Sequence, residues 1–417
     1  MSNGFAALKH PGLLRFALGR FASAVGTTTV SVAVGFQLYE RTGSKLALGL
    51  TGLVELVPVL LLALPAGAVA DHFRRRNVAV LSHIALASCS LALMLLTFFE
   101  GPVIAYYGVL FVVGVSVAFR SPSVGSMLPQ LVPAEDFARA NALISSSYEL
   151  ASMAGPALAG WLIALSVGSA TWAFGLGAAS HLVFVGVLLS LPSFPPVMSR
   201  SRVRTLSDYF VGFRFVMSVR VFLAAITLDL FAVLFGGAVA LLPVFAKDIL
   251  HAGPTGLGWL RAAPAIGALC MALVQTRLPA WKKPGQVLLM TVVGFGLATI
   301  GFGLSTSFLM SFSLLLLTGV FDNVSVVIRT TLEQSLTPDV MRGRVSAIHY
   351  VFIGMSNELG TFESGSTAHL FGAVPSVVGG GIGTILVVVL VALAWPELRK
   401  LAPLHTLKPM PVPPGVH

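Results

Sequence analysis

Charge is what this sequence has least of. Only 10% of its residues are Asp, Glu, Lys or Arg, against roughly a quarter in soluble globular domains, and the mean hydropathy is +0.90. That deficit excludes an ordinary water-soluble domain. Cysteine is nearly absent too. Cys89 and Cys270 both fall inside apolar runs, where a thiol behaves as a small hydrophobe, so neither a disulfide framework nor a metal site is implied. No G-x-x-x-x-G-K-[ST] phosphate loop is present, which argues against ATP hydrolysis as an energy source. No catalytic constellation appears either, so the chain does not read as an enzyme and no cofactor is expected. The N-terminus lacks the short apolar core and small-residue cleavage site of a signal peptide, so the first apolar run is expected to be retained. The net charge of +10 is dispersed between apolar segments rather than gathered on one face, and nucleic acid is not expected as a partner.

What is there is long apolar segments. A helix crosses a bilayer core with about 20 predominantly apolar residues, and twelve segments qualify: 16–39, 46–70, 77–99, 103–126, 138–165, 171–191, 219–246, 256–277, 286–304, 308–331, 343–371 and 375–396. Their continuous apolarity excludes a transmembrane β-barrel, whose strands alternate. Interior glycines such as Gly155, Gly160, Gly267 and Gly360 suit close helix packing in lipid. The expected fold class is therefore an all-α membrane protein with the lipid bilayer as its surroundings.

Orientation follows from the basic residues, because cytoplasmic loops carry the excess of Lys and Arg. With the N-terminus inside, all but four of the 26 fall on the cytoplasmic side, the exceptions being Arg41, Lys45, Lys247 and Arg261. Both termini are then cytoplasmic. The longest connection, 192–220, is basic and Ser-rich and divides a first half, 1–191, from a second, 221–402; a proline-rich tail, 403–417, is expected to be extended and disordered. The halves repeat one another. Leu131, Pro133, Arg139, Ala142, Gly155 and Gly160 recur at the same spacing as Leu336, Pro338, Arg344, Ala347, Gly360 and Gly365. Paired six-helix halves around a central substrate site are one established transporter plan.

Between the second and third spans lies G-A-V-A-D-H-F-R-R-R, 67–76. With two six-helix halves, its Gly67, Asp71, Arg75 and Arg76 resemble the signature loop of the major facilitator superfamily. His72 and Arg74 depart from the usual pattern. Within that superfamily the loops 133–141 and 338–345 and the stretch through Leu242-Pro243 resemble those of the bacterial exporters grouped with the enterobactin exporter. The resemblance implies a secondary transporter of the bacterial inner membrane working by alternating access, with Asp71 as part of a conformational latch near Arg344. It also implies that helices 1, 4, 7 and 10 line the cavity. The stretch 151–160 is similar to the helix 5 antiporter motif: Gly155, Pro156 and Gly160 match, whereas Ala stands at 151 and 159. The motif is associated with exporters, and its proline kinks the helix.

Ionisable groups inside a membrane are functional candidates. Six acids lie within the spans: Glu55, Glu149, Asp229, Asp322, Glu358 and Glu363. Asp229 and Asp322, on equivalent helices of the second half, are the first choices for proton coupling, followed by Glu149, Glu55 and Glu358. Arg329 follows Asp322 by two helical turns, roughly 10 Å along one face, too far for direct contact. Arg20, Arg120, Arg329, Phe231, Phe235 and Phe321 are candidates for the substrate cavity. His83, His181, His349 and His369 read as buried imidazoles without metal-type spacing. The expected activity is proton-coupled antiport, driven by the proton gradient, that exports an amphipathic siderophore or drug-like molecule from a monomer. Lipid or lysolipid flipping and a non-transporting sensor are the alternatives.

Overall fold

The computed structural model describes residues 11–192, 213–279, 281–338 and 341–410, and among them no strand occurs. Twelve long helices occur among the described residues. In the first half they are α1 (Pro11–Thr42), α2 (Lys45–His72), α3 (Arg75–Phe98), α4 (Val103–Gly125), α5 (Phe137–Leu165) and α6 (Thr171–Ser190). In the second they are α7 (Arg220–Phe235), α8 (Gly253–Gln275), α9 (Pro284–Leu304), α10 (Phe308–Leu336), α11 (Arg342–Phe371) and α12 (Ala373–Ala394). Helices are the expected form, because in lipid every backbone polar group must be paired within its own segment. Large apolar side chains stand on the outside, Leu61 at 70% and Ile104 at 74% exposure, as a lipid-facing surface requires.

Among the described residues eleven segments are long and apolar enough to cross a membrane, one fewer than expected. The remaining one, α11, is a single helix of 30 residues; Arg342, Arg344, Glu358 and Glu363 lower its apolarity, not its length. The reading of 219–246 as one regular span also changes. Regular helix ends at Phe235, and after Gly236-Gly237 the chain makes a 3-10 turn at Ala238–Leu241, a turn through Pro243 and a wider π turn at Phe245–Ile249. Glycine weakens the helix and proline removes a backbone donor. Gly237 also sits so near α11 that a Cβ there would lie 2.9 Å from the Gly360 carbonyl oxygen.

The described residues group into two compact units, one from 1–200 with 242–262, the other from 201–241 with 263–417. In the first, α1 packs on α5 and α6, α2 on α4, and α3 on α4 and α6. In the second, α7 packs on α11 and α12, and α9 on α10 and α12. The internal repeat of the sequence thus reappears as a repeated pairing scheme. Each unit has its own apolar core, around Phe16, Ala79, Met127 and Phe184 in the first and around Phe222, Leu288, Ile328 and Val388 in the second. Buried hydroxyls are satisfied locally: Ser82, Ser90 and Thr97 each donate to the carbonyl four residues back, at 2.8–2.9 Å. Residues 403–410 are extended apart from one turn at Leu404–Thr406, and the Met410 N–H donates to the Leu336 carbonyl. The rest of the tail, 411–417, and most of the linker, 193–212, lie outside the described residues.

Candidate substrate and proton site

In the second unit α7 and α10 bring three candidate side chains together. Arg329 forms a close ion pair with Asp229, and both are buried, with side-chain exposures of 6% and 10%. The other face of the guanidinium looks toward Asp322, whose Oδ1 lies 3.9 Å from Arg329 Nη2. The separation along α10 did not forbid this contact, because an arginine stem spans most of two turns. Asp322 is the accessible member, its side chain half exposed. Asp229, Asp322 and Phe321 line a small, partly open pocket together with Thr291, Phe295 and Ser325. Phe231 and Phe235 stack on each other, ring centroids 6.2 Å apart, and neither lines that cavity. One cation between a buried and an accessible carboxylate can exchange partners when either acid takes a proton.

A carboxylate that the sequence reading passed over belongs to the same unit. Glu333, near the end of α10, is buried; it accepts a short hydrogen bond from Ser346 Oγ, and its Oε2 lies 2.5 Å from His349 Nδ1. Its neighbours Gln334 and Ser335 make this stretch read as a helix exit, and nothing local reveals that α11 closes over it. Among the other acids, Glu363 on α11 accepts from Ser364 Oγ at 3.3 Å. Glu55 sits where α2 crosses α4 at Gly114. Glu149 on α5 and Glu358 on α11 are half-buried.

The first unit holds Glu55 and Glu149 and, besides them, two arginines within its helices. Arg20 on α1 and Arg120 on α4 are partly exposed and lie within electrostatic range of each other and of Tyr148 on α5. Beside them, Ser23, His83 and His181 form a buried polar knot: Ser23 Oγ is 3.5 Å from His83 Nδ1 and 3.3 Å from His181 Nδ1, and the two Nδ1 atoms are 3.3 Å apart. These two histidines and His349 are buried, as expected, whereas His369, in the last turn of α11, is exposed.

The Gly155-Pro156 pair sits where α5 crosses α1. Thr28 Oγ1 donates to the Ala151 carbonyl at 3.2 Å and Thr29 Oγ1 to the Gly155 carbonyl at 3.0 Å. A Cβ at Gly155 would fall 2.8 Å from the Val25 carbonyl oxygen. Gly160 meets α8 in the same way: a Cβ there would fall 2.5 Å from the Pro254 carbonyl oxygen and 3.0 Å from Gly258 Cα. In the signature loop, which begins after Gly67 on α2, Arg75 Nη1 donates to the Ser126 carbonyl at 3.0 Å and Arg76 Nη1 to the Leu191 carbonyl at 2.8 Å. Both carbonyls belong to the C-caps of helices, of α4 and α6, where a cation complements the helix dipole. The side chains of Asp71 and Arg344 lie outside the described residues, and with them the latch contact itself.

At the opposite end of this unit, Tyr39 donates a short hydrogen bond to Asp248, and Lys247 Nζ lies 2.7 Å from Glu40 Oε2. These contacts fasten the segment after the α7 break to α1.

Comparison with known proteins covers nearly the whole chain. A family model described as transmembrane secretion effector matches residues 2–414. The enterobactin exporter of Citrobacter koseri is 28% identical over 407 residues, covering 97% of this chain and 96% of the relative. Among solved structures, a bacterial homologue of the human lysosomal transporter Spinster, in an inward-facing and occupied conformation, superposes with a TM-score of 0.71 at 15% identity, covering 93% and 96% of the two chains. A POT family transporter in complex with 5-aminolevulinic acid superposes with a TM-score of 0.73 at 11% identity, covering 94% and 97%.

Proposed function

Because this chain belongs to the transmembrane secretion effector family of major facilitator transporters, we propose that it is a proton-coupled antiporter exporting an amphipathic small molecule by alternating access. The proton gradient is its energy source, and it works as a monomer in a bacterial inner membrane with both termini cytoplasmic. A siderophore is the favoured cargo class, since the relatives that span almost the same length are named for enterobactin export.

The observation that carries the coupling is Arg329 between Asp229 and Asp322. Two carboxylates and one guanidinium leave one negative charge within the membrane-spanning helices, on the half-exposed Asp322, where an ionised group is unfavourable. A proton entering from the accessible side neutralises Asp322, and Arg329 then serves Asp229 alone. Moving that proton on to the other side returns the cluster to its charged state. Each cycle thereby ties a proton to a rearrangement of α7 against α10, the two helices that hold the three groups.

The test uses everted vesicles loaded with a proton gradient and a pH-sensitive dye. Adding enterobactin to vesicles that hold the protein is expected to dissipate the gradient, and Asp322→Asn is expected to abolish that response without loss of protein. Transport of enterobactin with no movement of protons would overturn the coupling; no transport of it would overturn the cargo.

A further inference from the structure

The Glu333 carboxylate on α10 is held at both oxygens, by Ser346 Oγ at Oε1 and by His349 Nδ1 at Oε2, the latter at 2.5 Å. Both members of the pair are buried, Glu333 at 5% and His349 at 8% exposure. A carboxylate oxygen accepts, so Nδ1 supplies the hydrogen, and the bare nitrogen of the neutral imidazole is Nε2. That atom is buried and has no partner among the described residues. Most buried polar atoms are paired, and an open lone pair on an imidazole is where a proton binds. Glu333 follows Arg329 by four residues, one helical turn or about 6 Å along α10, so the two share a face with Asp322. On α7, Asp229 pairs with Arg329, and Phe222, two turns earlier, meets the His349 ring edge-on with centroids 6.3 Å apart. The same two helices thus touch both groups of charge, and Glu333 with His349 lies toward the α10 end at Leu336.

Little else on the surrounding elements bears charge. Helices α9 and α12 carry no titratable side chain. On α7, Arg220 is paired with Glu397 at 2.9 Å and Asp229 with Arg329. Arg342 at the start of α11 and His405 in the turn at Leu404–Thr406 are exposed, and Glu358 stands about 13 Å farther along α11. The side chains of Arg344 and Tyr350 lie outside the described residues. With a neutral imidazole, Glu333 keeps a negative charge that Arg329, already shared by two aspartates, does not cancel. A proton on Nε2 makes the pair neutral overall, which suits membrane-spanning helices. We infer that Glu333 and His349 form a second proton-binding site, on the cytoplasmic side of Asp229, Asp322 and Arg329, through which the transported proton leaves. The inference rests on the antiport reading and on cytoplasmic termini, which put the Leu336 end of α10 inside. The proton gained at Nε2 is the one that Asp322 gives up; about 16 Å of α10 separates Asp322 from Glu333, so water carries it across. Its loss to the cytoplasm returns the imidazole to the neutral form.

The experiment titrates the purified protein in lipid nanodiscs, its histidine ring nitrogens isotopically labelled, by solid-state NMR between about pH 5 and 8, where an imidazole ordinarily changes charge. The His349 signals are assigned by their loss in His349→Gln, or by their contact with the Phe222 ring should that variant fail to fold. One bare and one protonated nitrogen are expected at the alkaline end and two protonated nitrogens at the acid end, with the second protonation absent from this range in Glu333→Gln. A pair that only pins α11 to α10 would keep one protonation state throughout, and that result overturns the inference. So does a titration that Glu333→Gln leaves unchanged. In the everted-vesicle dye assay, Glu333→Gln and His349→Gln should each slow the response at least about tenfold, because a positioned proton carrier contributes that much or more. Monodisperse gel filtration of each variant separates lost function from lost fold. Full-rate responses in both variants, beside a response abolished by Asp322→Asn, overturn the exit site and leave the antiport reading standing. A wild type that moves no protons overturns the antiport reading instead, and the titration by itself then decides whether the pair binds a proton.

Discussion

Arg329 is embedded in α10 with its charge almost wholly out of water, so what happens to it depends on two carboxylates in different surroundings. Asp229 is buried with it, and removing one partner of a buried pair leaves a lone charge at a cost of about 3–5 kcal/mol. Asp229→Asn and Arg329→Gln should each lower thermal stability in detergent by that order, and the double variant should be less destabilised than the two singles added together. Simple additivity in that cycle would mean the pair contributes no coupling. Asp322 is half exposed at 3.9 Å, where such a pair contributes only about 0–1 kcal/mol, so Asp322→Asn should leave the melting temperature nearly unchanged while abolishing the dye response. Glu333 offers a further residue-level test. Its carboxylate serves Ser346 and His349 at once, and Glu333→Ala, which leaves both unpaired in a buried place, is expected to destabilise by about 1–3 kcal/mol, with Glu333→Gln milder; an unchanged melting temperature in the alanine variant would contradict this. Sequence reading found Asp229, Asp322 and Arg329 because a charge in an apolar run stands out. It missed Glu333 because a charge beside Gln334 and Ser335 does not, and it kept Arg329 from Asp322 by measuring along the helix axis without the length of the side chain.

At the scale of elements, the crossings are made by glycine. Where α8 meets α10, a Cβ on Gly267 or Gly319 would run into the carbonyl of Leu316 or Pro264, backbone that cannot step aside. Alanine favours a helix over glycine by about 1 kcal/mol, yet Gly319→Ala should destabilise here by about 1–3 kcal/mol through overpacking. Gly108 on α4 has nothing within 4 Å of the same position, so Gly108→Ala is expected to be neutral or stabilising. Thermal unfolding of the two variants side by side decides the matter, and equal effects would mean that the crossing is not close. Glycines inside apolar runs announce that helices pack closely, but which helix they meet is set by tertiary structure alone. Most span bounds were legible to within about five residues, since length and apolarity define them. The break after Phe235 was not, although Gly236-Gly237 and Pro243 were in view, because apolarity continues across it and conceals the loss of regular helix.

For the whole molecule the open matter is orientation, and the first unit gives it a geometric form. Arg41 donates to the carbonyls of Glu100 and Gly101 and Lys247 pairs with Glu40, so the turns after α1 and α3 and the turn after α7 share one end. Arg75 and Arg76 cap α4 and α6, which places the arginine run at the other end. Three of the four basic residues counted as outside, Arg41, Lys45 and Lys247, thus belong to the first end, and the run at 74–76 belongs to the second. If basic residues are retained in the cytoplasm, the second end is inside. In a protein with Cys89 and Cys270 replaced by alanine, a cysteine at Val167, which is 97% exposed in the turn after α5, should react with a membrane-impermeant maleimide in intact cells. Cysteines at Arg74 or Lys282, both exposed, should react only in everted vesicles. The reverse pattern would invert the molecule in the membrane and, with it, the direction of transport assigned to the proton cluster. Labelling of all three from one side would break the alternation of spans on which the orientation depends.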